Sequence, residues 1–163
     1  MVVLKNILVA TDFGEPSAVA MAYGRDLCRS YNATLHVLHV VEDVMMRYAP
    51  EVGFAVPDLQ KDLEKAANRD LTALITDDDR RTLKVVPVVQ TSLKVASGIV
   101  EYAGTHAIDL IIVGTHGRSA VKQFLLGGAA ERVVRTAPCP VLAVRTKERD
   151  FIAPDALVAA PKG

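Results

Sequence analysis

Cysteine is scarce. The chain has two in 163 residues: Cys28 within a helical pattern and Cys139 in a Pro-Cys-Pro corner. Neither belongs to a CxxC pair or to a Cys/His spacing that would hold zinc, so a stapled or zinc-built scaffold is excluded. Two reduced thiols suit a cytosolic protein. Net charge is also lacking. Lys+Arg and Asp+Glu stand at 19 each, which leaves no broad positive field of the kind that non-specific nucleic-acid binding requires. No apolar run is longer than a strand. The opening MVVLKNILVATD has one lysine, no small-residue cleavage site and an apolar stretch too short to span a bilayer. A cytoplasmic location is expected, with neither membrane nor nucleic acid as partner. Repeats and low-complexity segments are absent as well.

What remains is ordinary globular composition, half apolar and about a quarter charged, long enough for one self-sufficient core. We read residues 1–146 as that domain and 147–163 as a C-terminal tail. Short β-branched runs alternate with helical patterns. Residues 4–10, 34–41, 83–89, 109–113 and 140–145 read as strands, and 15–31, 58–76, 93–106 and 127–136 as helices. Pro16 favours a first helical turn. Residues 34–41 are apolar on both faces, as a strand covered by helices on both sides must be. Residues 42–57, with Pro50, Gly53 and Pro57, read as an irregular connection. Asp77-Asp78-Asp79-Arg80-Arg81 reads as a solvated turn. Pro87 cannot donate to a ladder, so the third strand belongs at a sheet edge. The alternation predicts a three-layer, doubly wound α/β fold around a five-stranded parallel sheet.

Ligands of such sheets bind beyond the carboxyl ends of the strands. The informative loop there begins at Val113-Gly114 and runs through Thr115-His116-Gly117-Arg118 to Gly127-Gly128-Ala129. Gly114 and Gly117 would let the backbone approach a ligand closely. Gly127, Gly128 and Ala129 open a helix whose free N–H groups form an anion site, to which Arg118 would add a charge-assisted contact. No Gly-Lys-Ser/Thr follows and the spacing is not GxGxxG, so this is neither a Walker loop nor a dinucleotide fingerprint.

The spacing Gly114-x2-Gly117-x9-Gly127 resembles the glycine signature of nucleotide-binding universal stress proteins. So do the runs Ala129-Ala130-Glu131-Arg132-Val133-Val134 and Ala137-Pro138-Cys139-Pro140-Val141-Leu142 that follow it. Ile7–Phe13, Leu38–Val41 and Asp109–Gly114 resemble the family's first, second and fourth strands, and the likeness covers residues 3 to 146. It implies a flavodoxin-like sheet ordered 3-2-1-4-5 (adenine nucleotide alpha hydrolase-like). It also implies ATP, or another adenine nucleotide, with or without Mg2+, across the ends of strands one and four. Asp12 and the backbone near Ala10, Thr11 and Val40 would face base and ribose. Gly114, Gly117, Gly127 and the start of the last helix would hold the phosphates. Asp12 has a second reading, a cap at the start of the first helix.

Two positions depart from the family pattern. Gly128 stands where a Ser or Thr hydroxyl is expected, a loss on the order of 1 kcal/mol for a neutral hydrogen bond. Leu93-Lys94 replaces a Gly-Asp or Gly-Pro turn in a loop expected to lie far from the phosphates. His36 and His39, three apart in a strand, point to opposite faces and cannot share a metal, and His106 ends a helix. Ser119 lacks the flanking glycines of a nucleophile elbow. No catalytic group and no metal site is expected. Strand five, Val141, Leu142, Ala143 and Val144, ends the sheet with an open edge, which invites a homodimer, with or without pairing into a tetramer. Three functions stay open: a regulatory nucleotide-binding module, a dimeric stress or interaction protein with a vestigial pocket, and a slow ATPase.

Overall fold

The computed structural model describes residues 1–44, 46, 56–115 and 128–146. Side chains alternate sharply along its inner strands. In β1 (Asn6–Ala10), Ile7 and Val9 turn to one face and Leu8 to the other. In β2 (Thr34–Glu42), Leu35 and Val37 oppose Leu38 and Val40, and in β4 (Leu110–Gly114), Ile112 opposes Ile111 and Val113. A sheet that is apolar on both sides must be covered on both sides.

One cover consists of α1 (Glu15–Tyr31) and α2 (Val56–Leu74), which contribute Ala20, Met21, Cys28 and Leu71. The other consists of α4 (Val95–Thr105) and α5 (Gly128–Thr136), with Ala96, Ile99, Tyr102, Ala103, Ala130 and Val133. Gly98 lets α4 lie directly on Val40; a Cβ there would sit 2.9 Å from Val40 Cγ1. Each large side chain so buried stabilises the fold by about 1.5–3 kcal/mol relative to exposure.

With β3 (Lys84–Ser92) and β5 (Val141–Val144), the five strands form an all-parallel sheet ordered β3-β2-β1-β4-β5. This is the expected three-layer α/β architecture. Pro87 lies on the edge strand, where its missing N–H costs no ladder bond. Among the described residues no helix is long and apolar enough to cross a membrane.

Some boundaries differ from the sequence reading. β1 starts at Asn6 because the Asp109 carboxylate accepts the Lys5 and Asn6 N–H groups at 2.7 and 2.9 Å, tying β1 to the start of β4. β3 runs on to Ser92, paired residue by residue with β2 as far as Glu42. The connection before α2 falls largely outside the described residues, as does the whole tail, 147–163.

The expected solvated turn at Asp77-Asp78-Asp79 is instead a short helix, α3 (Asp77–Thr82). Thr76 Oγ1 accepts the Asp79 N–H, and the Asp79 carboxylate accepts the Thr76 N–H, a reciprocal capping box. Acids in its first turn and arginines in its last complement the helix dipole. Asp79 is only 1% exposed. Arg25 of α1 grips it with two hydrogen bonds, Nε to Oδ1 at 2.8 Å and a terminal nitrogen to Oδ2 at 2.7 Å, and also donates to the Leu74 carbonyl. Burial pushes the Asp79 carboxyl up, but Arg25 and Thr76 outweigh it and hold the group below the usual carboxylate range.

The histidines on β2 are both engaged. His36 is buried with Nδ1 2.9 Å from the Tyr102 hydroxyl, and Tyr102 stacks on His106 with ring centroids 3.9 Å apart. Burial first, and then the neighbouring His106, lower the His36 pKa. On the opposite face, His39 Nδ1 donates to the Thr11 carbonyl at 2.7 Å. Cys28 is buried, which raises its thiol to about 12 and leaves it inert.

Breaking the Arg25–Asp79 pair strands a buried charge. Arg25→Met is expected to destabilise the fold by about 3–5 kcal/mol, read by urea unfolding. Because the carboxyl is depressed in the native state, its contribution is complete above about pH 5 and fades as acid protonates it. Asp79→Asn therefore flattens stability against pH on the acid side of about pH 5; an unchanged acid limb would show that the pair does not matter.

Candidate functional site

β1 stops short of both its neighbours at the carboxyl end of the sheet. Its last partner on β2 is Leu38, opposite Ala10, while β2 continues to Glu42 beside β3 alone. On the other side β4 pairs with β1 only as far as Ile112, then continues to Gly114 beside β5. At about 3.3 Å per residue, β2 overhangs β1 by roughly 13 Å. The result is a notch at the carboxyl end of the sheet. It lies between β1 and β4, where the winding direction reverses.

The chain that leaves β1 forms the floor of this notch, and most of its polar groups are satisfied locally. Thr11 donates its N–H to the Leu38 carbonyl. Its buried hydroxyl donates to Ser17 Oγ at 3.1 Å and accepts the Phe13 N–H at 3.0 Å; Ser17 Oγ in turn donates to the Gly14 carbonyl at 2.8 Å. Asp12 Oδ1 accepts the Gly14 N–H at 2.9 Å, the local turn that leads into α1. Phe13 adopts a left-handed φ of 63° and lays its ring on His39, centroids 4.5 Å apart. Since a carbonyl only accepts, His39 must carry its proton on Nδ1.

Val40 forms one wall. Backbone groups alternate sides along a strand. The Leu38 carbonyl turns toward β1 to meet Thr11, so Val40, two residues on, presents its backbone to the same side, past the end of β1. Val113 and Gly114 form the other wall. Glycine at 114 has a packing reason of its own. A Cβ there would lie 2.7 Å from Pro16 Cβ and 2.8 Å from its carbonyl carbon. Gly114 is therefore required by the first turn of α1, which closes the notch on that face. The Thr115 N–H beyond it donates to Val144.

On the α4–α5 face the carboxyl end opens into a cleft of about 570 Å³, within the size range of small-molecule sites. Glu42, Asp43 and Met46 line it from β2, Leu93, Lys94, Val95 and Ala96 from the start of α4, and Gly128, Ala129 and Arg132 from α5. The first turns of two helices thus meet on one cavity, each with N–H groups that lack an intrahelical partner. The Leu93-Lys94 loop, expected far from the phosphate-binding glycines, shares the cleft with Gly128 and Ala129, because α4 and α5 pack side by side.

The candidate residues fall into three groups. Ala10, Thr11, Asp12, Val40, Val113 and Gly114 surround the notch; Gly128 and Ala129 line the cleft; Gly117, Arg118 and Gly127 lie outside the described residues, with His116 and Ser119. Glu42, Asp43, Lys94 and Arg132 were missed. A lysine where a helix cap should be was the available signal for Lys94.

The two glycines can be told apart by experiment. Gly114→Ala forces a methyl against Pro16 and is expected to lower stability by about 1–3 kcal/mol in chemical denaturation. Gly128, where a Cβ would meet nothing within 4 Å among the described residues, should accept Ser without loss. Equal effects at both would refute this packing account.

The universal stress protein family profile matches residues 4–145. Universal stress protein A homolog 1 of Coxiella burnetii is 36% identical over 149 residues, 88% of this chain and 98% of that protein. Among solved structures, UspA from Lactobacillus plantarum aligns with TM-score 0.74 and 25% identity over 88% of this chain and 99% of that one. A universal stress protein in complex with cAMP (TM-score 0.58, 21% identity, 90% of this chain covered and 99% of that one) shares the fold. So does one from Archaeoglobus fulgidus in complex with dAMP (TM-score 0.60, 16% identity, 88% and 98% covered). With its fold, its strand order and this match across nearly its whole folded length, the chain belongs to the universal stress protein family.

Proposed function

We propose that this chain is a cytoplasmic regulatory module that binds an adenine nucleotide, ATP or a close relative, and does not turn it over. The observation that carries the reading is the cleft at the carboxyl end of the sheet, with the open start of α5 at Gly128-Ala129 on its wall. Phosphates suit the helix start, and the Val40 backbone and the Asp12 carboxylate beside the notch suit the base and ribose. Relatives of the same fold solved with cAMP and dAMP support adenine as the base. The choice of ATP, with or without Mg2+, rests on the glycine spacing around residues 114–127. Gly128, which lacks the family's hydroxyl, favours the second reading, a dimeric interaction protein whose pocket has lost its ligand.

Protein purified without added nucleotide and then denatured should release an adenine compound. Titration should give measurable ATP affinity, tightened about fivefold by Gly128→Ser through one restored hydrogen bond, with no phosphate released. Absence of both bound and titratable nucleotide would leave the vestigial-pocket reading; steady hydrolysis would restore the ATPase.

The edge of β5 supports a homodimer. β5 pairs with β4 alone among the described strands. The Pro140 and Val144 carbonyls face β4, so Val141 and Ala143 direct their backbone outward. Native mass spectrometry is expected to find twice the 17.5 kDa chain mass. Ala143→Pro, which removes an outward N–H and spares the β4 ladder, should give a folded monomer. A dimer that survives this change would place the interface elsewhere.

A further inference from the structure

Lys94 breaks two local rules at once. It is the N-cap residue of α4, where Ser, Thr, Asp or Asn is favoured, and it makes no side-chain cap bond. Its cation also sits at the positive end of the helix dipole, with no acid in the first turn to offset it. No ion pair with a described residue relieves it, and none engages Arg132 across the same cleft. By contrast Arg135, one turn further along α5, is paired and holds Glu131 at 3.0 Å. Local rules broken without compensation inside the protein are expected where a ligand supplies the compensation. Both cations line the cavity, as do two carboxylates, Glu42 and Asp43, at the end of β2. Asp43 is held in place, its N–H on the Ser92 carbonyl and its Oδ1 on the Met46 N–H.

We infer that Lys94 and Arg132 are specificity residues for the phosphate chain, so that the cleft favours nucleoside triphosphates over monophosphates. The inference rests on the reading of the cleft as an adenine-nucleotide site. A polyphosphate repelled by Glu42 and Asp43 and drawn to the two cations has one favourable orientation, with its hydroxyl-rich end toward the carboxylates and its charge toward α4 and α5. Each added phosphate brings charge that the cations can meet, and AMP brings the least. Two cations lining the cleft also do in part what a bound Mg2+ does for a polyphosphate, so the preference should hold without the metal.

The test uses the full-length protein and titrations of ATP, ADP, AMP and adenosine in the absence of Mg2+. Lys94→Asn installs a good cap and removes the charge. It is expected to raise Tm while weakening ATP binding about tenfold, as for loss of a charge-assisted contact, with AMP and adenosine little changed. Arg132→Gln should narrow the ATP-to-AMP preference in the same way. Lys65→Asn, on α2 and outside the cleft, should leave it as in the wild type. A preference unchanged in both cleft variants, or narrowed equally by Lys65→Asn, overturns the inference while leaving nucleotide binding intact. A wild type that binds none of the four compounds overturns the underlying reading as well, a different pattern of results.

Discussion

Because helices cover both faces of the sheet, its strands can meet a ligand only at their ends, and everything functional here follows from that confinement. The inner strands present apolar side chains to both sides, Ile7 and Val9 against Leu8, Ile112 against Ile111 and Val113. No polar site can be placed on either face without opening a core worth several buried side chains. The carboxyl end is where loops and helix starts gather, and where backbone N–H groups lack partners. Because both neighbours of β1 run on past its last paired residue, that end is a notch rather than a flat rim.

The notch is asymmetric, and packing makes it so. On the α1 side it is closed: Pro16 fills the space over Gly114, Thr11 and Ser17 share hydroxyl bonds, and Phe13 lies on His39. On the other side α4 and α5 leave a cavity. The close seat of α4 on Val40 through Gly98 sets the position of that wall. One helix start is therefore used to seal the sheet and two others to line the opening. The same backbone device, a helix beginning at the end of a strand, serves stability in one place and access in another.

Much of this was legible in the sequence, for reasons that can be named. Period-two and period-3.6 patterns are local, so the strands and helices were readable, and Pro87 identified an edge from the missing donor alone. The order of the strands followed from family likeness rather than periodicity. At Asp77-Asp78-Asp79 the local Thr76-x-x-Asp79 capping spacing was passed over, and the burial of Asp79 was hidden because Arg25 lies more than fifty residues away. The packing role of Gly114 was hidden on similar grounds. A glycine required by a ligand and one required by a neighbouring helix look the same until Pro16 is placed. The Leu93-Lys94 loop was set too far away because its distance depends on how α4 and α5 pack, which a linear reading does not contain.

A residue that weakens its own helix tells more than one that merely lies near a cavity. Apolar lining residues such as Val95 and Ala96 have a sufficient reason for their identity in the core beneath them. Gly128 has no steric reason among the described residues, and Lys94 has an electrostatic one against it. A helix start already carries a partial positive charge, so a further cation there is stabilised only when an anion is present. In the proposed complex the phosphate chain would supply that anion. Under that proposal the favourable energy of the contact would be reserved for the occupied state, as a module that reports occupancy requires.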